Sequence, residues 1–144
     1  MNGDATPRVL MGGCQCGALR FEAAGAPKWV AHCHCANCRS QVSGAYATWI
    51  AFAADSVRFT QGVPRHFASS PGVERGFCAD CGTPLTYAGP KWRGELHLLA
   101  GSLDDPEAVT PTIHAYFDEA LDWVQPGDGL PRYAKTSREG PPLA

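Results

Sequence analysis

Long apolar runs are missing from this 144-residue chain. The longest nearly apolar stretch, AYATWIAFAA, is about half of a membrane span, and the N-terminal MNGDATPRVLMGG lacks the basic-then-apolar order of a secretory leader. These absences predict a soluble, cytoplasmic protein with no membrane partner. Charge is sparse too: Asp, Glu, Lys and Arg make up 18% of the chain and sum to −2, and no Lys or Arg falls between Gly94 and Pro131. A chain so poor in positive charge is badly equipped to grip a polyanion, which argues against nucleic acid as a partner. No dinucleotide fingerprint or phosphate loop is present. The zinc-dependent nucleobase deaminases need a His-x-Glu and a Pro-Cys-x-x-Cys; here no Glu follows any His at that spacing and FCADC lacks the proline.

Long helices are also scarce, because sixteen glycines and twelve prolines interrupt the chain. What remains is alternation. ALRFEA (Ala18 to Ala23), WVAHC (Trp29 to Cys33), YATWIAF (Tyr46 to Phe52), SVRFTQ (Ser56 to Gln61), VERGFC (Val73 to Cys78) and ELHLLA (Glu95 to Ala100) each have the period of two and the aromatic or β-branched content of a strand with one buried face. QGVP, SSPG and YAGPKWRG between them are turn chemistry. Helical turns are expected only at Ala36 to Ser40 and in DDPEAV, where Asp105 can cap and Pro106 can take the first position. The length suits a single domain, read here as residues 1–133, followed by a polar, proline-rich tail over residues 134–144.

Cysteine is the exception to this scarcity. Seven cannot all pair, and in a reducing compartment clustered thiols are better read as ligands or nucleophiles than as disulfides. They fall in three groups: Cys14-Gln-Cys16-Gly17, Cys33-His-Cys35-Ala-Asn-Cys38 and Cys78-Ala-Asp-Cys81-Gly82. The first and third are short chelates ending in a glycine that can take positive φ, so Cys14, Cys16, Cys78 and Cys81 predict a closed, structural tetrathiolate zinc site. Joining two distant segments, such a site contributes several kcal/mol to folding.

Cys33, Cys35 and Cys38 are one ligand short of tetrahedral zinc. An open fourth position is what a catalytic zinc site keeps. Three thiolates leave Zn²⁺ with a net charge of −1, a weaker Lewis acid than zinc on three imidazoles, so the expected chemistry is capture and deprotonation of a substrate thiol rather than of water. Two alternatives stand beside this one: a fourth protein ligand, His34 or another histidine, which would make the site structural, or a metal-free redox trio.

GGCQCG, CHCANCR and FCADCG, in this order, resemble the glutathione-dependent formaldehyde-activating family, and IHAYFDEALDW followed by LPRY resembles its closing segment. The likeness runs from about Gly12 to Tyr133. It implies an all-β fold of small coiled antiparallel sheets knitted by zinc, the β-tent. It also implies two zinc ions, a structural one on Cys14, Cys16, Cys78 and Cys81 and a catalytic one on Cys33, Cys35 and Cys38. The implied activity is that of a carbon–sulfur lyase acting in the direction of S-(hydroxymethyl)glutathione synthesis, with a small-molecule thiol such as glutathione and an aldehyde such as formaldehyde as partners. A non-catalytic, zinc-stabilised binding or scaffold module, as in centromere protein V, is the alternative that the same resemblance allows.

Other residues have plainer expectations. His34 is read as supporting the metal site from outside it, and Arg39 as offsetting thiolate charge. Tyr46, Trp49 and Phe52 are core aromatics, His97 and His114 hydrogen-bonded strand histidines, and Trp123 and Tyr133 anchors for the last segment.

Overall fold

The computed structural model describes residues 8–144. The start of the domain read as 1–133, and most of the segment examined for a leader, therefore lie outside the described residues. Ten strands and one short helix follow one another as β1 (Val9–Gly13), β2 (Arg20–Ala24), β3 (Trp29–Cys33), α1 (Ala36–Val42), β4 (Ala47–Ala53), β5 (Val57–Gln61), β6 (Arg65–Ser70), β7 (Val73–Phe77), β8 (Pro84–Ala88), β9 (Glu95–Leu99) and β10 (Ile113–Ala115). They form a three-stranded sheet in the order β1-β2-β5 and a seven-stranded sheet in the order β10-β3-β4-β9-β8-β7-β6. Every pairing is antiparallel except β10 with β3. The expected all-β class holds, with helix a minor component. No helix among the described residues is long and apolar enough to cross a membrane.

Period-two alternation on β4 builds two separate apolar layers. Ile50 and Phe52 point into a core completed by Val30, Leu85 and Leu98 of the large sheet and by Leu10, Phe21 and Ala23 of the small one. Ala47 and Trp49, of opposite parity, enter a second cluster with Cys33, Cys38 and Leu99. The small sheet thus covers one face of the large sheet, and the cysteine trio occupies the other. Close approach requires glycine at Gly12, where a Cβ would lie 2.3 Å from the Ser102 carbonyl oxygen and 2.6 Å from the Phe21 ring.

All six expected strands are present within a residue or two of their predicted bounds. β1, β6, β8 and β10 were not expected, and Tyr87 and Ala88, read as turn, end β8. Both helical expectations have counterparts: α1 extends to Val42, and Asp105 caps a 3-10 turn over Pro106–Ala108 by accepting from the Glu107 N–H at 3.2 Å. The segment expected as a tail is tied to the fold. The Tyr116 N–H donates to the Lys135 carbonyl at 2.8 Å, Thr136 is buried, Glu139 pairs with Lys91, and Arg138 lies 5.1 Å over the Trp92 ring. Trp123, expected as an anchor, is 72% exposed and does not fasten that segment. Tyr133 does so through its backbone, exchanging hydrogen bonds with His114 and Phe117.

Candidate functional site

The fold collects the seven thiols into two clusters. Cys14 and Cys16 lie in the turn after β1, Cys78 and Cys81 in the turn after β7, and glycines with φ of +84° (Gly17) and +81° (Gly82) close each chelate. The Cys14 and Cys16 sulfurs are 3.6 Å apart, and those of Cys16 and Cys78 3.8 Å. A tetrahedral ion with metal–sulfur bonds of about 2.3 Å has an edge of about 3.8 Å, so this donor set fits a tetrathiolate metal. Backbone and hydroxyl donors already face the sulfurs: the Leu19 N–H reaches Cys14 Sγ at 3.2 Å and the Thr83 hydroxyl lies 3.1 Å from Cys81 Sγ. Thr83 holds the Cys81 thiol down to about 5. All seven cysteines are free thiols rather than disulfides.

The second cluster forms where β3 ends. Cys33 is its last residue, the chain turns at His34, and Cys35 becomes the N-cap of α1, its Sγ accepting from the Cys38 N–H at 3.3 Å. Residues three apart at a helix start share a side, which brings Cys35 and Cys38 together over Cys33. Hydrogen bonds from Cys33 and Cys35, helped by the charge of Arg75, pull the Cys38 thiol down to about 3, while the same bonds and burial push Cys33 up. No fourth His, Cys, Asp or Glu among the described residues completes the trio.

Beside the trio is a cavity of about 250 Å³. Trp29, Trp49, Tyr87, Trp92 and Tyr116 wall it, Lys91 lies at its edge, and the half-buried Cys35 faces it. The tetrathiolate cluster instead borders a separate, larger and more open hollow of about 810 Å³ lined by Cys14, Gln15, Cys81 and Thr83. One set of thiols is thus closed on itself and the other is set against an aromatic chamber.

His34 is fully buried and turned away from the trio. Its Nε2 lies 2.8 Å from His114 Nδ1, and His114 Nε2 lies 2.8 Å from Asp128. Burial holds His34 near 4, so it is neutral in the fold. His97 is hydrogen-bonded to Glu95 at 2.9 Å. Both His97 and His114 sit on strands as expected. Trp49 belongs to the chamber wall as well as to a core cluster, Phe52 to the main core, and Tyr46 is 37% exposed, packed on His32 and His34. Arg39, expected to offset the thiolates, instead donates to the carbonyls of His34 and Glu119 at 3.1 and 3.2 Å.

Arg75 takes the place expected for Arg39, and reading the sequence missed it. It lies buried with Nη1 3.9 Å from Cys38 Sγ. A signal was available: Arg75 shares parity with Val73 and Phe77 in VERGF, a charge in an inward-facing register.

The family model described as "Glutathione-dependent formaldehyde-activating enzyme" matches residues 9–119. The chain belongs to that family. Within it, the chain is 31% identical over 127 residues to a Halomonas elongata protein whose provisional name is glutathione-dependent formaldehyde-activating enzyme, covering 81% of this chain and 80% of that protein. It is 34% identical over 111 residues to an uncharacterized lyase of Schizosaccharomyces pombe, covering 77% of this chain and 80% of that one. A crystal structure of a Rhodobacter sphaeroides protein, 18% identical, superposes with a TM-score of 0.55 over 70% of this chain and 91% of that one, a likeness of fold alone. The seven thiols all fall inside the segment matched by the formaldehyde-activating family.

Proposed function

We propose that this protein is a zinc-dependent carbon–sulfur lyase that activates a thiol, glutathione being the first choice, for addition to a small aldehyde such as formaldehyde. The observation that carries the reading is the trio: three thiols with no fourth donor among the described residues, facing a chamber walled largely by aromatic rings. Cys33, Cys35 and Cys38 would hold one Zn²⁺, and Cys14, Cys16, Cys78 and Cys81 a second with a structural role. The first ion would supply an open position with an affinity for sulfur and would lower the pKa of a thiol placed there.

The residues around it do the rest. Cys35 leaves the trio accessible from the chamber, where indole and phenol rings take the place of part of the solvent and so strengthen electrostatic contacts at the reacting atoms. Trp49 and Leu99 pack against Cys33 and Cys38 in one apolar cluster, which fixes the donor geometry. The His34–His114–Asp128 chain locks the backbone between Cys33 and Cys35 in place, with the His34 N–H donating to the Ala115 carbonyl at 3.0 Å. Free thiols throughout suit a reducing, cytoplasmic setting.

Exchange NMR between formaldehyde and glutathione, with and without the zinc-loaded protein, tests the activity. Acceleration above the spontaneous rate that disappears in Cys35→Ala is expected. An unchanged exchange rate would remove the enzymatic reading and leave a zinc-stabilised module.

A further inference from the structure

Arg75 is the most enclosed cation among the described residues, and no carboxylate accompanies it. Its side chain is held from several directions. Nε donates to Ser69 Oγ at 2.9 Å, Nη1 donates to Gln41 Oε1 and points at Cys38 Sγ, and the guanidinium lies 5.1 Å over the Tyr87 ring. Gln41 is itself fixed, its Nε2 donating to the Thr86 carbonyl at 3.2 Å. These contacts use three of the five N–H groups a guanidinium offers. The two on Nη2 meet no acceptor among the described residues, and Nη2 is not sealed in as the unpartnered Trp29 indole nitrogen is. Arg75 lines the chamber beside the trio and also a neighbouring cavity of about 380 Å³ that it shares with Gln41, Phe67 and Ser69, so this leftover pair is its remaining donor capacity toward molecules in either space.

What such a donor can serve follows from its geometry. Recognition of a carboxylate or phosphate uses two guanidinium nitrogens side by side. With Nε and Nη1 engaged, only one nitrogen is left, which suits a single oxygen. Thiolate charge is already met by Nη1, and a 3.9 Å separation from Cys38 Sγ matches the roughly 3.8 Å edge of a tetrahedral thiolate site. The guanidinium therefore lies about one tetrahedral edge from a trio sulfur and borders the same chamber as Cys35.

We propose that Arg75 is a catalytic residue whose Nη2 receives the carbonyl oxygen of the aldehyde, a role that rests on the thiol-addition reading above. The substrate thiolate sulfur attacks the carbonyl carbon and a carbon–sulfur bond forms. The π pair of the C=O bond moves onto oxygen, and the oxyanion then takes a proton from water, replacing the one the thiol gave up. No electron carrier is needed, and Arg75 donates hydrogen bonds without losing its proton. A donor aimed at developing charge acts chiefly on the transition state, so its loss lowers kcat rather than weakening thiol binding.

The test compares zinc-loaded wild type, Arg75→Lys and Arg75→Gln by formaldehyde–glutathione exchange NMR, with bound zinc counted by native mass spectrometry and its retention measured against a chelator. Arg75→Gln is expected to lower kcat on the order of 10²-fold with the thiol KM within about threefold. Both ions should stay bound, and millimolar guanidinium ion should restore part of the rate. Arg75→Lys, which keeps the buried charge, should fall between. If wild type accelerates exchange and Arg75→Gln matches it per bound zinc, or if Arg75→Gln only sheds the trio's ion to the chelator, the oxyanion role is overturned and the thiol-addition reading stands. If wild type itself does not accelerate exchange, both fall.

Discussion

Cutting the tetrathiolate link by substituting both Cys78→Ala and Cys81→Ala should destabilise the metal-loaded protein far more than the metal-free one. The link joins residues 62 positions apart at its Cys16–Cys78 contact. Treating it as a cross-link that restricts the unfolded chain, loop closure of that size is worth about 4 kcal/mol. Truncating the buried Cys78 adds a packing loss of about 1 kcal/mol, which remains when no metal is bound. The loaded variant should therefore unfold about 5 kcal/mol below the loaded wild type, and the chelator-stripped pair should differ by about 1 kcal/mol. For a chain of this size the first difference amounts to a Tm shift of roughly 15–20 °C. Urea unfolding and calorimetry, each with and without a strong chelator, give the two numbers. Equal losses in both conditions would mean that these four thiols stabilise by packing alone, and the structural-metal reasoning would be wrong.

Three further outcomes follow from the same geometry. Cys35→Ala should reduce bound metal by one equivalent in native mass spectrometry while Tm moves by only a few degrees, because Cys35 is half-buried and joins no distant strands; global unfolding would contradict this. Burial holds His97 below the usual histidine range, so as pH falls through about 6.5 the unfolded chain gains a proton that the folded chain refuses. Stability should decline between pH 7 and 5, and His97→Gln should flatten that decline by up to about 1.4 kcal/mol per pH unit, with urea midpoints at both pH values as the check. Gly12→Ala places a methyl against the Ser102 carbonyl and the buried Phe21 ring, and should cost about 2–3 kcal/mol; a Tm within a degree of wild type would show that β1 can shift.

The strands that the sequence revealed are those rich enough in aromatic and β-branched residues at alternating positions to show a period of two. β4 gave Trp49 on one parity and Ile50 and Phe52 on the other, and the structure uses both. β6 was hidden because Arg65–Ser70 is an edge strand with no buried residue, and β1 because its two glycines erase the pattern. β10 is three residues long and pairs in parallel with β3, a long-range match that no local period announces. The cysteine groups were legible because chelate spacing is local, and the structure assembles them in the predicted four and three. Arg75 and the aromatic chamber were not, since they come from β3, β4, β7, β8 and the closing segment, and only sheet order places those side by side.

The account depends most on the trio keeping one coordination position free of protein. A crystal structure of the metal-loaded protein, with and without glutathione, measures this directly. The account predicts an ion on Cys33, Cys35 and Cys38 whose fourth ligand is solvent in one crystal and the glutathione sulfur in the other. A fourth protein side chain on that ion in both crystals would contradict it.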